Sequence, residues 1–155
     1  MKISGKHDVD VPLAFVAAVL VDFPGWERAA LRRGIEVRRT DRQTSAVQGA
    51  SWTARFAFRR KLRSIDIRIV EHDPAGRLVV SFVGASTQGT AIIVPLAMGP
   101  RRTRITATLD VQARTLAARL LFQSMRFARQ RNVGKFEARL AMLGTEIETR
   151  YAARG

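Results

Sequence analysis

Cysteine is absent from this 155-residue chain, which removes disulfide frameworks and thiolate metal sites from consideration. Histidine occurs twice and tyrosine once, so the side chains that most often carry general acid-base chemistry are scarce. No apolar run approaches the roughly 20 residues a membrane-spanning helix needs. The longest extends from Val11 to Val21 and contains Pro12. Residues 1 to 10 are polar and lack the apolar centre of a signal peptide, so a cytoplasmic protein is expected. The length fits one domain over residues 1–155, and neither a linker nor a shift of composition divides it.

Acidic residues are also few: 13 Asp and Glu face 27 Lys and Arg, for a formal charge of +14. Such a surface attracts anions over a Debye length. Only Lys2, Lys6, Lys61 and Lys135 are lysine. An arginine skew of this kind has two readings, an anion-seeking surface and the drift of a GC-rich genome, and composition alone leaves both open.

What is present is periodicity. Residues 2 to 11 alternate, with Ile3, Gly5, His7, Val9 and Val11 on one face, the pattern of a half-buried strand. Pro12 fits a first helical turn, and the apolar helix after it runs until Asp22-Phe23-Pro24-Gly25 breaks it. A second short helix is predicted from Trp26 to Leu31, and a short charged strand over residues 35 to 41. Trp52, Ala54, Phe56 and Phe58 then share one strand face, and Ile65, Ile67 and Ile69 the next. Asp73 to Gly76 and Gly99 to Arg102 read as turns, as does Gly84 to Gly89, with apolar strands between them. Five consecutive strands at hairpin spacing predict an antiparallel meander, in which Pro95 demands a bulge or a missing ladder bond.

Beyond Ala113 the period becomes helical. Leu121, Met125, Ala128, Asn132, Phe136, Leu140, Leu143 and Ile147 make one stripe on an otherwise charged helix. The segment from 113 to 150 reads as a single helix about 50 Å long at 1.5 Å per residue, with Gly134 marking a bend or a close approach.

This order of elements, together with Val9-Asp10-Val11-Pro12 and Asp22-Phe23-Pro24-Gly25-Trp26, resembles the START-like superfamily of polyketide cyclases, aromatases, plant allergen-type (Bet v 1-like) carriers and lipid-transfer domains. The resemblance implies an α+β helix-grip fold, with a seven-stranded curved antiparallel sheet around a long C-terminal helix and two short helices after strand one. It further implies an apolar cavity between sheet and helix. On that topology the candidate lining is Trp52, Phe56, Phe58, Ile67, Phe82, Leu109, Met125, Asn132 and Phe136, with His7 pointing inward. A packed core is written with the same residues, and parity does not separate the two. His7 reads first as a core histidine satisfied by backbone, and Asn132 as a stripe-edge residue reaching water.

No carboxylate pair is visible, no metal site is expected, and no cofactor is implied. Gly84 to Gly89 lacks the lysine and following helix of a phosphate loop. Nucleic-acid readout finds no aromatic interleaving or recognition motif to support it. The expected function is therefore binding of a small hydrophobic or amphipathic ligand, a lipid, quinone or polyketide-like compound. One alternative is a cyclase or aromatase-type enzyme using His7 or Asn132. Another is a basic adaptor docking on anionic lipid, acidic protein or RNA. The resembled topology gathers Arg32, Arg33, Arg59, Arg60, Lys61 and Arg114 into a basic mouth, which would attract an anionic head group or an anionic membrane surface.

Overall fold

The computed structural model describes residues 1–42 and 46–154. In chain order the elements are β1 (Lys2–Val9), α1 (Leu13–Leu20), α2 (Phe23–Arg32), β2 (Glu36–Arg39), β3 (Ser51–Phe58), β4 (Lys61–His72), β5 (Leu78–Gly84), β6 (Thr87–Gly99), β7 (Arg102–Ala113), α3 (Leu116–Met125), a single 3₁₀ turn (Arg126–Ala128) and α4 (Arg129–Ala153). The strands form one antiparallel sheet in the order β1-β7-β6-β5-β4-β3-β2. The α+β helix-grip fold implied by the sequence is what the chain adopts: a seven-stranded curved sheet, two short helices after β1 and a long C-terminal helix.

The first strand pairs with the last, from Lys2↔Asp110 to Val9↔Thr103, and at the Val9 and Thr103 end α1 packs across β6 and β7 and closes that end. There β1 runs through the buried Val9 and Val11 into α1, whose Val16, Val19 and Leu20 are buried too. Thr103, the one polar residue that is fully buried among the described residues, donates its hydroxyl to Val11 O at 2.7 Å. Its polar atom is therefore satisfied in place, as burial requires. Ile69, Leu78 and Ile105 complete this core from the sheet, and Leu140 and Ile147 complete it from α4. At the opposite, open end lie the β3–β4 and β5–β6 turns, the last residues of β7 and α3.

On the convex face of the closed end, Asp8 accepts hydrogen bonds from Arg104 Nε at 2.8 Å and Arg102 Nη2 at 3.1 Å. The bond from Arg104 is the larger cause, and together they hold the Asp8 carboxyl at about 2, below its ordinary value of 3.8, against the desolvation that would raise it.

Several boundaries differ from the sequence reading, each for a local reason. The second helix starts at Phe23, three residues before Trp26, because Asp22 caps it through Gly25 N and Pro24 stands in the first turn, where no N–H is required. The six-residue turn expected from Gly84 to Gly89 is a two-residue loop, Ala85 and Ser86. Gly89 stays in β6, in register with Phe82 and Val111, and a Cβ there would stand 2.6 Å from Phe82 Cζ. Pro95, by contrast, meets the expectation through the missing ladder bond, since it keeps register with Ile105 and runs past the Leu78↔Ile93 end of the β5 ladder; the irregularity in β6 falls between Ala97 and Gly99.

The C-terminal segment is not one helix. It begins at Leu116, with Thr115 capping Ala118 N, and breaks at the 3₁₀ turn. Asn132 Nδ2 donates to Met125 O at 3.2 Å, so a side chain has entered the backbone ladder where the break occurs. Gly134 lies inside unbroken α4 with no atom within 4 Å of its missing Cβ. Gly144 is the opposite case, because a Cβ there would stand 2.5 Å from His7 Cδ2 and 3.0 Å from Val9 Cγ1. The stripe itself is as predicted: Leu140 and Ile147 are buried and Leu121, Met125, Phe136 and Leu143 half-buried.

Two measurements check this packing. Gly134→Ala should stabilise the protein by about 1 kcal/mol through helix propensity alone. Gly144→Ala should destabilise it by about 1–3 kcal/mol because the ring of His7 has to move, and denaturant midpoints of both variants should shift in opposite directions. Separately, a carboxyl with a depressed folded pKa contributes stability above its ordinary value and loses it as pH falls. The acid limb of the stability profile between 3.8 and about 2 should accordingly be shallower in Asp8→Asn than in the parent.

Candidate functional site

Between α2, α4 and the concave face of the sheet lies an inner cavity of about 360 Å³. That is the lower part of the range for small-molecule sites. Its floor is a set of cross-strand neighbours with one parity: Trp52 opposes Ile67, and Ile69 opposes Val80. Leu78 and Ile93, also opposed, extend it. The roof is α2, where Phe23, Trp26, Glu27 and Ala30 recur at the three-four spacing of one helix face. Leu143 of α4 closes one side.

The aromatic groups are fixed by specific contacts. Trp26 Nε1 donates to Val19 O at 2.8 Å, which ties α2 to the end of α1. Phe23 meets Trp52 edge to face, with centroids 4.8 Å apart. The guanidinium of Arg39 sits over both rings, at 5.4 and 5.0 Å, and is ion-paired to Asp41. That hydrogen bond to Asp41 is the main reason the Arg39 pKa is raised.

Glu27 is the one ionisable side chain in the wall, and its Oε1 accepts from Trp52 Nε1 at 2.9 Å. The site thus offers an apolar chamber with a single carboxylate whose second oxygen can accept from a ligand hydroxyl or amine. Among the described residues no three of histidine, aspartate and glutamate converge as a metal site would need.

A second, outer groove of about 980 Å³ opens where the first residues of β1 and the last of β7 meet α3, the 3₁₀ turn and the start of α4. The residues named from sequence are spread over both regions and beyond. Trp52 and Ile67 stand in the inner wall, and Met125 and Asn132 in the outer groove. Phe82 covers Gly89, Phe136 packs on Gly5, and His7 lies beneath Gly144. Leu109 and Phe56 are half-buried. Phe58 is half-exposed at the open end, with the guanidinium groups of Arg59 and Arg63 each 5.5 Å from its ring.

The basic residues divide likewise. Arg59 and Arg60 form the β3–β4 turn, both with positive φ (53° and 63°), followed by Lys61. Arg114 braces the same end through a 2.6 Å bond to Gly84 O. Arg33 caps α2, and Arg32 approaches Glu146 of α4 at 4.0 Å.

The sequence places Trp26, Glu27 and Ala30 on the second helix without assigning them to a cavity, and Phe23 falls in the segment that reads as a break before it. Counting helical spacing from Phe23 would have found all four.

Neither a family model nor a curated protein sequence matches the chain. Solved structures do match in shape. An aromatase/cyclase from a Streptomyces species superposes with a TM-score of 0.72 at 14% identity, covering 100% of this chain and 98% of that one. Norcoclaurine synthase from Thalictrum flavum, determined with dopamine and hydroxybenzaldehyde, gives 0.68 at 12% identity, covering 100% and 88%. A START superfamily protein from Mycobacterium smegmatis gives 0.64 at 12% identity, covering 92% and 98%. At these identities the likeness concerns the fold, and the fold is START-like.

The bond between Trp52 and Glu27 can be weighed directly. A double-mutant cycle over Trp52→Phe and Glu27→Leu should return a coupling of about 1 kcal/mol in denaturant melts. Additive losses would mean that the bond contributes nothing to stability.

Proposed function

We propose that this protein is a single-domain cytoplasmic carrier that holds a small hydrophobic or amphipathic molecule, a lipid, quinone or polyketide-like compound, between its sheet and helices without transforming it. The observation that carries the reading is the inner cavity: a lining that is apolar except for one carboxylate, already half-engaged by an indole. Such a chamber favours apolar bulk and leaves one acceptor to orient a polar end. The remaining apolar residues named from sequence, Phe56, Phe58, Phe82, Leu109 and Phe136 among them, are proposed to serve the ligand's path from the open end. There Arg59, Arg60 and Lys61 would favour an anionic head group or loading from an anionic surface.

Ring-closing chemistry of the cyclase type would draw on His7 or Asn132. His7 is packed under α4, and the amide of Asn132 is given to Met125 O. Neither is in the inner wall, and the carrier reading stands ahead for that reason.

A titration with Nile red, a neutral apolar dye, tests it. The native protein should bind the dye, and Val80→Phe, which puts new volume into the chamber, should weaken binding at little cost in stability. If the site is instead closed-packed in solution, the same substitution destabilises the fold by about 1–3 kcal/mol and there is no dye binding to lose.

A further inference from the structure

The elbow made by α3 and the 3₁₀ turn pairs two features that water serves poorly together. Leu116, Leu120 and Phe127 are 70%, 58% and 95% exposed, and spacings of four and seven put them on one side of the segment. Around them lie Arg119, Arg126, Arg129 and Arg131. From residue 111 to 136 the chain carries these four together with Arg114 and Lys135 and not one acidic residue.

The ion pairs of the described residues lie elsewhere, on Arg32, Arg39, Arg77, Arg102, Arg104 and Arg150. Arg119, Arg126 and Arg129, with Lys2, also line the outer groove, whose wall includes no carboxylate. Asp110 and Glu137 come near its edge, through the register with Lys2 and the packing on Gly5.

Outward apolar side chains flanked by unpaired arginines are satisfied together by a layer of phosphates over hydrocarbon. We propose that the α3 elbow is a docking surface for an anionic phospholipid bilayer. Phe127, Leu116 and Leu120 enter the head-group and acyl boundary, while Arg119, Arg126 and Arg129 take the phosphates. The surface gives the carrier reading a place of loading, yet shares no residue with the inner cavity wall, so the two fail separately.

Co-sedimentation with phosphatidylglycerol–phosphatidylcholine vesicles, against phosphatidylcholine alone, provides the test. The protein should bind the anionic vesicles and release them as salt is added. Phe127→Ser, and separately Arg126→Glu with Arg129→Glu, should each lower the partition by about tenfold or more. Arg28→Glu with Arg101→Glu makes the same charge change on α2 and the β6–β7 turn and should lose much less. All these side chains are exposed, and unchanged thermal melts would confirm that folding is intact.

Equal losses from the two double variants, or no loss from Phe127→Ser, would overturn docking by this elbow. So would binding of monomeric dodecyl phosphate without binding of vesicles, which would make the groove a site for a soluble amphiphile. Vesicle binding with no uptake of Nile red would overturn the carrier reading alone.

Discussion

The close approach of α4 to the edge strand β1 is the constraint on which the rest of the fold depends. Gly144 lies over His7 and Val9, and Gly5 lies under Phe136 and Glu137, with a Cβ on either glycine tighter than ordinary contact. Among the strands α4 approaches β1 most closely, and it stands farther from those toward the other edge. It leaves space above β3, β4 and β5, and α2 roofs part of that space. The inner cavity is thus a geometric consequence of where the helix is anchored. His7 has its place in the same contact, where its ring is the floor on which α4 rests.

The two ends of the sheet divide the work. Buried aliphatic side chains collect at the closed end, where β1, α1, β7 and the second half of α4 meet, and burial of that area stabilises the fold. The open end keeps its large side chains half-covered and its arginines largely without acidic partners. A protein built this way concentrates stability in one half and leaves the other half free to meet something else. Regions with few buried contacts are the ones that open at low free energy.

Much of this was legible in the sequence, because strand alternation and helical spacing report burial directly. The parity of Trp52, Ile67 and Ile69, and the stripe through Leu140 and Ile147, are where the pattern put them. Boundaries were less legible where one residue type has two uses. Gly89 reads as a turn and acts as a space for Phe82, and Pro24 reads as a break but sits in a first helical turn. The division of the C-terminal segment depends on a hydrogen bond from Asn132 that no periodicity reveals. Of the cavity's roof, Phe23 was hidden with the start of α2, since a segment read as a breaker is not searched for a face, while the short helix predicted from Trp26 to Leu31 gave no sign of which side it buries. Whether the apolar interior is filled was beyond the pattern altogether, because it depends on how far α4 stands from β4 and β5.

The chain has two tryptophans, and both belong to the wall of the inner cavity. Each indole is held by its own hydrogen bond, Trp26 to a backbone carbonyl and Trp52 to Glu27, and each has a guanidinium over its ring, Arg150 at 4.8 Å and Arg39 at 5.0 Å. The tryptophan emission of the protein therefore originates at the chamber. Whatever enters displaces water or bends the Glu27 bond beside a chromophore already in position, so the unlabelled protein carries an optical gauge of its own occupancy.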